Sequence, residues 1–315
     1  MKARFQIGAI FLGVTLVAGC TNQVEEDQVD NTTEESEDTF ETSYPLERSD
    51  ALGRDVIIEE EPKSIVSLIP SNTEIIYALD ADEGLVGRSE FDDYPTEVLD
   101  VESIGGMEFD VEKIIELEPD LILAHQSGAA QAEHAFEQLD QAGYPVFIVE
   151  DAQTIEAVYE TIEEIGELLN KQAIAQEVVE EMASQFQELA EITQKEQDDQ
   201  RTVWIEISAQ PIFVAGTQTF LDELLSVGYA KNAADDQEGW VELSEEIGIT
   251  YDPDVIISTY DGSELIKDRP AWDRVKAVEE DRVFDIDANL VSRPGPRLAE
   301  GAWQLAELVY PEDFE

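Results

Sequence analysis

A glutamate set seven residues ahead of a Pro-Asp pair, itself followed by a short apolar run, occurs twice in this chain. Glu112 precedes Pro119-Asp120-Leu121-Ile122-Leu123, and Glu246 precedes Pro253-Asp254-Val255-Ile256-Ile257. Upstream, Thr73-Glu74-Ile75-Ile76 is echoed by Asp222-Glu223-Leu224-Leu225. Each half therefore reads helix, glutamate, helix, Pro-Asp, strand in the same order. Apolar runs of strand length alternating with helical patterns indicate α/β lobes built on parallel sheets. A duplicated lobe is the simplest architecture, and two such lobes leave a cleft at the carboxyl ends of the strands, where open α/β sheets take ligands.

The local patterns fill in this frame. Ile65 to Pro70, Leu85 to Gly87, Asp120 to Ala124 and Pro145 to Val149 read as strands. Helices are expected from Ser71, from Val111 to Leu117 and around Glu133 to Ala142. From Thr154 to Leu169 the residues Ile155, Val158, Ile162, Ile165 and Leu169 recur at helical spacing. That predicts one long helix, followed by a Glu- and Gln-rich helix to about Lys195 and a restart of the α/β pattern at Val203. The expected organisation is a signal segment over 1–19, an acidic disordered tether over 20–50, an N-terminal lobe over 51–152, a bridging helix over 153–170 and a C-terminal lobe over 171–315.

The first twenty residues set the destination. Lys2 and Arg4 precede an apolar stretch from Phe5 to Ala18, too short and interrupted for a membrane span, as in a secretory signal. It ends in Val17-Ala18-Gly19-Cys20, which resembles a bacterial lipobox; cleavage there leaves Cys20 as the lipidated N-terminus. Thr21 to Glu41 carries many acids, no basic residue and almost no apolar ones, so it cannot offset its ordering entropy by burial. It is expected to tether the body to the outer face of the cell membrane, whose only membrane contact is the lipid.

Charge and composition exclude several functions. With 74 acidic against 18 basic residues the formal charge is -56, which repels nucleic-acid backbones and anionic lipid. Self-repulsion on that scale is relieved by salt, so a salty or alkaline exterior is expected. One cysteine and two histidines exclude a disulfide scaffold and leave little for a metal cluster. No G-x-S-x-G, P-loop or full G-x-G-x-x-G after the first strand is present, so the chain does not read as an enzyme and needs no cofactor.

Four stretches in order, Ile65 to Glu74, Asp92-Asp93-Tyr94-Pro95, Ile104-Gly105-Gly106 and Pro119 to Leu123, with Ser292-Arg293-Pro294-Gly295-Pro296-Arg297 near the C-terminus, resemble the substrate-binding proteins for cobalamin, iron-siderophores and haem. The likeness runs from about Lys63 to the end, and within the family it is nearest the cobalamin-binding lipoproteins of Gram-positive bacteria. It implies a class III periplasmic-binding fold: two Rossmann-like lobes joined by a single long rigid helix, with little closure on binding. It also implies a monomer that delivers its ligand to an ABC permease dimer with its ATPase. Glu112 and Glu246 match the family's permease-docking glutamates, one per lobe, and a two-fold partner with arginines suits two such carboxylates. Their alternative role is helix-start chemistry after Asp110 and Ser244.

The resemblance makes vitamin B12, or another corrinoid, the transported ligand, with cleft positions Phe91, Gly106, His125, Phe213, Trp240 and Arg293. The Gram-negative cobalamin binders carry tryptophan where this chain has Gly106 and His125, and only Trp240 keeps that aromatic. His125 follows a strand, where an imidazole can touch a corrin face, ligate haem iron or hydrogen-bond at the rim. Arg293 has an ion pair within its lobe as its alternative role. Met107 is expected in the core, His134 on the surface, and Trp204, Trp272 and Trp303 at packed positions. A ferric siderophore or haem in the same fold is the alternative cargo; a wall-associated structural protein is a further alternative.

Overall fold

A computed structural model describes residues 41–194 and 199–314. The expected signal segment, Cys20 and the tether up to residue 40 lie outside the described residues. The tether was expected to run to residue 50, but the folded body begins earlier. The Thr42 hydroxyl donates to the Glu167 carbonyl at 2.7 Å, and the Tyr44 hydroxyl to that of Leu168 at 3.0 Å. A hairpin follows, β1 (Leu46–Ser49) antiparallel to β2 (Asp55–Ile58), which turns Leu46, Val56 and Ile58 inward. These three apolar residues supply the burial that the acidic run lacks.

The N-terminal lobe is a four-stranded parallel sheet in the order β4-β3-β5-β6, from β3 (Ile65–Ser67), β4 (Leu85–Gly87), β5 (Leu121–His125) and β6 (Val146–Val149). Every residue of β5 and β6 is buried, as continuous apolar strands covered on both faces must be. Around it lie α1 (Pro70–Ala78), α2 (Val111–Glu116) and α3 (Gln126–Ala142). Two expected boundaries shift. β3 ends at Ser67, and Pro70 opens α1, where its missing N–H costs nothing. α3 starts at Gln126 rather than near Glu133, because the His125 side chain itself caps it.

The long helix is α4 (Ile155–Leu168), capped by Thr154, which accepts from the Ala157 amide at 3.1 Å. Its buried stripe of Val158, Ile162 and Ile165 belongs to an apolar core that includes Ile75 and Phe147 of the first lobe and Val203, Leu224 and Val255 of the second. α5 (Gln172–Thr193) follows and packs on the C-terminal lobe, where the Trp303 indole donates to the Gln185 carbonyl at 3.2 Å.

That lobe contains β7 (Thr202–Ala209), β8 (Ile212–Ala215), α6 (Phe220–Val227), β9 (Lys231–Asn232), β10 (Trp240–Leu243), α7 (Glu245–Tyr251), β11 (Val255–Ser258), α8 (Ser263–Lys267), α9 (Lys276–Glu279), β12 (Val283–Asp285), α10 (Ala288–Ser292) and α11 (Leu298–Val309). Its sheet runs β10-β8-β7-β11-β12, with β9 beside β7. It is mixed rather than wholly parallel, because Gln210-Pro211 alone joins β7 to β8 and so short a link permits only an antiparallel return. Trp204 and Trp272 are fully buried and meet edge to face, 6.2 Å between centroids.

The sequence repeat has a structural cause. Asp120, just before β5, accepts from the Lys63 and Ser64 amides at 2.8 and 2.9 Å, while its own N–H donates to the Ser64 hydroxyl at 3.0 Å. Asp254, just before β11, accepts from the Thr202 amide and hydroxyl at 2.8 and 2.9 Å, and its N–H donates to that hydroxyl at 3.1 Å. In both lobes the Pro-Asp pair ties the start of one strand to the start of its parallel neighbour.

Candidate ligand cleft and docking glutamates

Glu112 and Glu246 occupy the same place on matching short helices. Asp110 caps α2 by accepting from the Lys113 amide at 3.1 Å, and Ser244 caps α7 by accepting from the Ile247 amide at 3.4 Å. Each glutamate is the second residue after its cap, exposed, and without an ion pair among the described residues. Its own amide and the Ser244 hydroxyl hold the Glu246 carboxyl below its usual range. Each helix is anchored beneath: Ile114 is buried, and Gly248 lies so close to Trp272 that a Cβ would come within 2.9 Å of the indole.

Phe91 and Gly106 come together at the carboxyl end of the N-terminal sheet. The segments after β4 run side by side, with the Glu90 amide donating to the Gly105 carbonyl at 2.8 Å. Phe91 is 50% exposed. A Cβ at Gly106 would fall 2.1 Å from the Glu90 carboxylate, so Glu90 fills the space a side chain would take there. Met107, expected in the core, is instead exposed, because it sits at the tip of the loop closed by the Gly105–Phe109 bridge.

His125 ends β5 and is only 7% exposed. Its Nδ1 accepts from the Ser127 amide at 3.3 Å and lies 2.8 Å from the Ser127 hydroxyl. Among the described residues its Nε2 is buried without a hydrogen-bond partner, as are the Ser71 hydroxyl and the Asn72 carbonyl oxygen nearby on α1. Asn72 donates to the Ala124 carbonyl at 3.0 Å, which sets it beside His125. Burial, opposed by Asp151, holds the imidazole below its ordinary pKa and therefore neutral. His134 is on the surface of α3, as expected.

Phe213 and Trp240 come together on the other lobe. In the β8–β10 pair Trp240 faces Ala215 and Glu242 faces Phe213, so these four share one face. The alternate residues Ile212, Val214, Val241 and Leu243 turn into the core with the two buried tryptophans. Trp240 is thereby left 46% exposed and Phe213 half-buried.

Arg293 makes its ion pairs across the lobes. Its guanidinium donates to Glu74 at 2.7 Å, to Asp93 at 2.7 Å and to the Phe91 carbonyl at 3.3 Å. The pairing joins the two lobes rather than staying within one lobe. The neighbours that complete it are Glu74, in the repeated Thr73-Glu74-Ile75-Ile76, and Arg297, in Ser292 to Arg297. The available signal was an acid set between the apolar run Ile65 to Ile69 and Ile75-Ile76. A second buried pair, Glu206 with Arg269 at 2.7 Å, also takes a bond from the Tyr260 hydroxyl. A surface groove of about 890 Å³ lies elsewhere, at the amino ends of β3, β5 and β6, beside Lys63, Asp120 and Tyr144.

A family model described as periplasmic binding protein matches residues 65–290. The chain belongs to this family. Family members are periplasmic binding proteins and not enzymes. This binding protein is 42% identical, over the whole of both chains, to an uncharacterised ABC transporter substrate-binding lipoprotein of Bacillus subtilis. It is 26% identical to a vitamin B12-binding protein of Pectobacterium atrosepticum over 78% of this chain and 87% of that one. The crystal structure of a possible iron-binding (periplasmic solute-binding) protein from Staphylococcus epidermidis superposes with a TM-score of 0.74 at 38% identity, covering 80% of this chain and all of that one. The expected two-lobed α/β fold with its long connecting helix is the fold of this family.

Proposed function

We propose that this binding protein, held at the outer face of the cell membrane by a lipid on Cys20, captures a corrinoid and presents it to an ABC permease dimer. The observation that carries the transport role is the matched pair Glu112 and Glu246: two exposed carboxylates, without an ion pair among the described residues, at equivalent helix starts of a duplicated body. An arginine-bearing two-fold partner can grip both at once. The full-length likeness to a substrate-binding lipoprotein supports the same role and the anchor.

Three features support the corrinoid. Trp240, Phe213 and Phe91 offer aromatic surface of the kind a large flat ligand packs against. Arg293, Arg297 and Arg269 are each held by a carboxylate, which leaves these cations committed when an anionic chelate or a haem propionate approaches. Vitamin B12-binding proteins are among the relatives.

Titration with cyanocobalamin, cobinamide, haem and a ferric hydroxamate in high salt, followed by tryptophan quenching, tests the ligand. Saturable quenching by the two corrinoids is expected, weakened about tenfold in Trp240→Ala. Binding of haem or hydroxamate alone overturns the corrinoid. Glu112→Ala/Glu246→Ala is expected to bind ligand as before and to abolish uptake; retained uptake removes the docking role.

A further inference from the structure

The repeat contains a second pair of glutamates, Glu74 and Glu223. Glu74 lies on α1 and is 4% exposed, yet its hydrogen bonds come from the other lobe. Arg293 reaches its Oε1 at 2.7 Å; Arg297 reaches Oε1 and Oε2 at 2.7 and 2.9 Å, side-on. Both arginines belong to the segment joining α10 to α11. The clamp extends outward: Asn289 donates to Asp93 at 3.1 Å, and the Arg297 guanidinium lies 3.9 Å from the Tyr94 ring centroid. Glu223, at the matching place on α6, accepts from the Ile155 amide at 2.8 Å, the first residue of the connecting helix α4. A carboxylate there satisfies an orphan amide and suits the positive end of the helix.

We infer that Glu74 and Glu223 are a paired latch that fixes the angle between the lobes, Glu74 through Arg293 and Arg297, and Glu223 through the start of α4. Apolar packing along α4 holds the lobes together but is non-directional and tolerates sliding. A side-on guanidinium–carboxylate pair fixes distance and orientation together. Breaking it leaves buried charge unpaired, so the clamped arrangement is favoured over neighbouring ones. On the proposed docking role, the same latch holds Glu112 and Glu246 at the spacing the permease meets.

The test is a pulsed dipolar distance measurement on the full chain carrying Cys20→Ser, with spin labels at Glu133→Cys on α3 and Glu279→Cys on α9, both exposed sites. A single narrow distribution is expected for the parent. Glu74→Gln, and separately Arg293→Gln/Arg297→Gln, are expected to broaden it about twofold as neighbouring interlobe angles become populated. Glu223→Ala broadens it less, since one bond is lost instead of three. Glu312→Gln, which breaks a pair with Arg201 inside one lobe, leaves the width unchanged. Should Glu74→Gln not fold, the arginine pair decides. Parental width in that variant overturns the latch. The measurement uses neither ligand nor permease, so a broadened distribution stands even if Glu112 and Glu246 prove dispensable for uptake, and an unbroadened one removes the latch whatever uptake shows.

Discussion

Asp92 is buried beneath the loop that presents Phe91 and Asp93, and the Thr73 hydroxyl donates to it at 2.7 Å. Burial pushes its carboxyl up to about 6, against the opposing pull of Thr73, Arg88, the Ser89 amide and Arg293. A raised acid stabilises the fold below its unfolded value and loses that contribution as pH rises through the folded one. Ionising Asp92 in the fold therefore costs on the order of 3 kcal/mol. Asp92→Asn is expected to raise Tm by a few degrees at pH 8 and by much less at pH 5; an equal gain at both values contradicts the assignment. Glu164 is pushed up to about 7 by burial and then by Glu150, Glu167 and Asp50, with Arg48 opposing, so Glu164→Gln carries the same sign. The Glu206–Arg269 pair works differently, because both charges are buried together. Arg269→Met is expected to cost about 3–5 kcal/mol in urea unfolding, and Glu206→Leu/Arg269→Met to recover much of it. A single variant as stable as the parent argues against the pairing.

The elements were legible where periodicity was strong. The stripe Ile155, Val158, Ile162 and Ile165 marked α4, and continuous apolar runs marked β5, β6 and β11, since each pattern has one secondary structure that buries it. The antiparallel return of β8 was not legible, nor was a helix capped by a histidine, because turn geometry and capping depend on side-chain placement that composition does not show. The Pro-Asp ties are the element-scale feature with a direct test. Burial pushes both carboxyls up, but the Lys63 and Ser64 groups outweigh it at Asp120, and Lys276 with Thr202 at Asp254, so both end below the usual range. A lowered acid stabilises the fold above its unfolded pKa and loses that contribution as pH falls through the folded one. Asp120→Ala and Asp254→Ala should each cost about 2 kcal/mol at pH 7, a penalty that shrinks towards pH 3. Chemical denaturation at the two pH values checks both.

At the scale of the whole molecule, the charge of -56 predicts a salt response. The Debye length falls from about 10 Å at 0.1 M to about 3 Å at 1 M, so molar salt removes most surface repulsion. Calorimetry is expected to show Tm several degrees higher in 2 M KCl than in dilute buffer, and an unchanged Tm sets aside a salt-adapted surface. The repeat of Glu, Pro-Asp and strand determined by itself that the chain forms two related α/β lobes, because spacing along a chain dictates which residues begin helices and which run through a sheet. It also marked Glu112 and Glu246 as equivalent, since equal offsets from equivalent strands put them at equivalent helix starts. Only the tertiary structure decided which carboxylates Arg293 pairs with. Its partners Glu74 and Asp93 are some two hundred residues away in sequence, so no local pattern reveals that the guanidinium is held by the other lobe. The same reason hid the burial of His125 Nε2 and the Glu90 carboxylate against Gly106: each depends on which segments fold side by side.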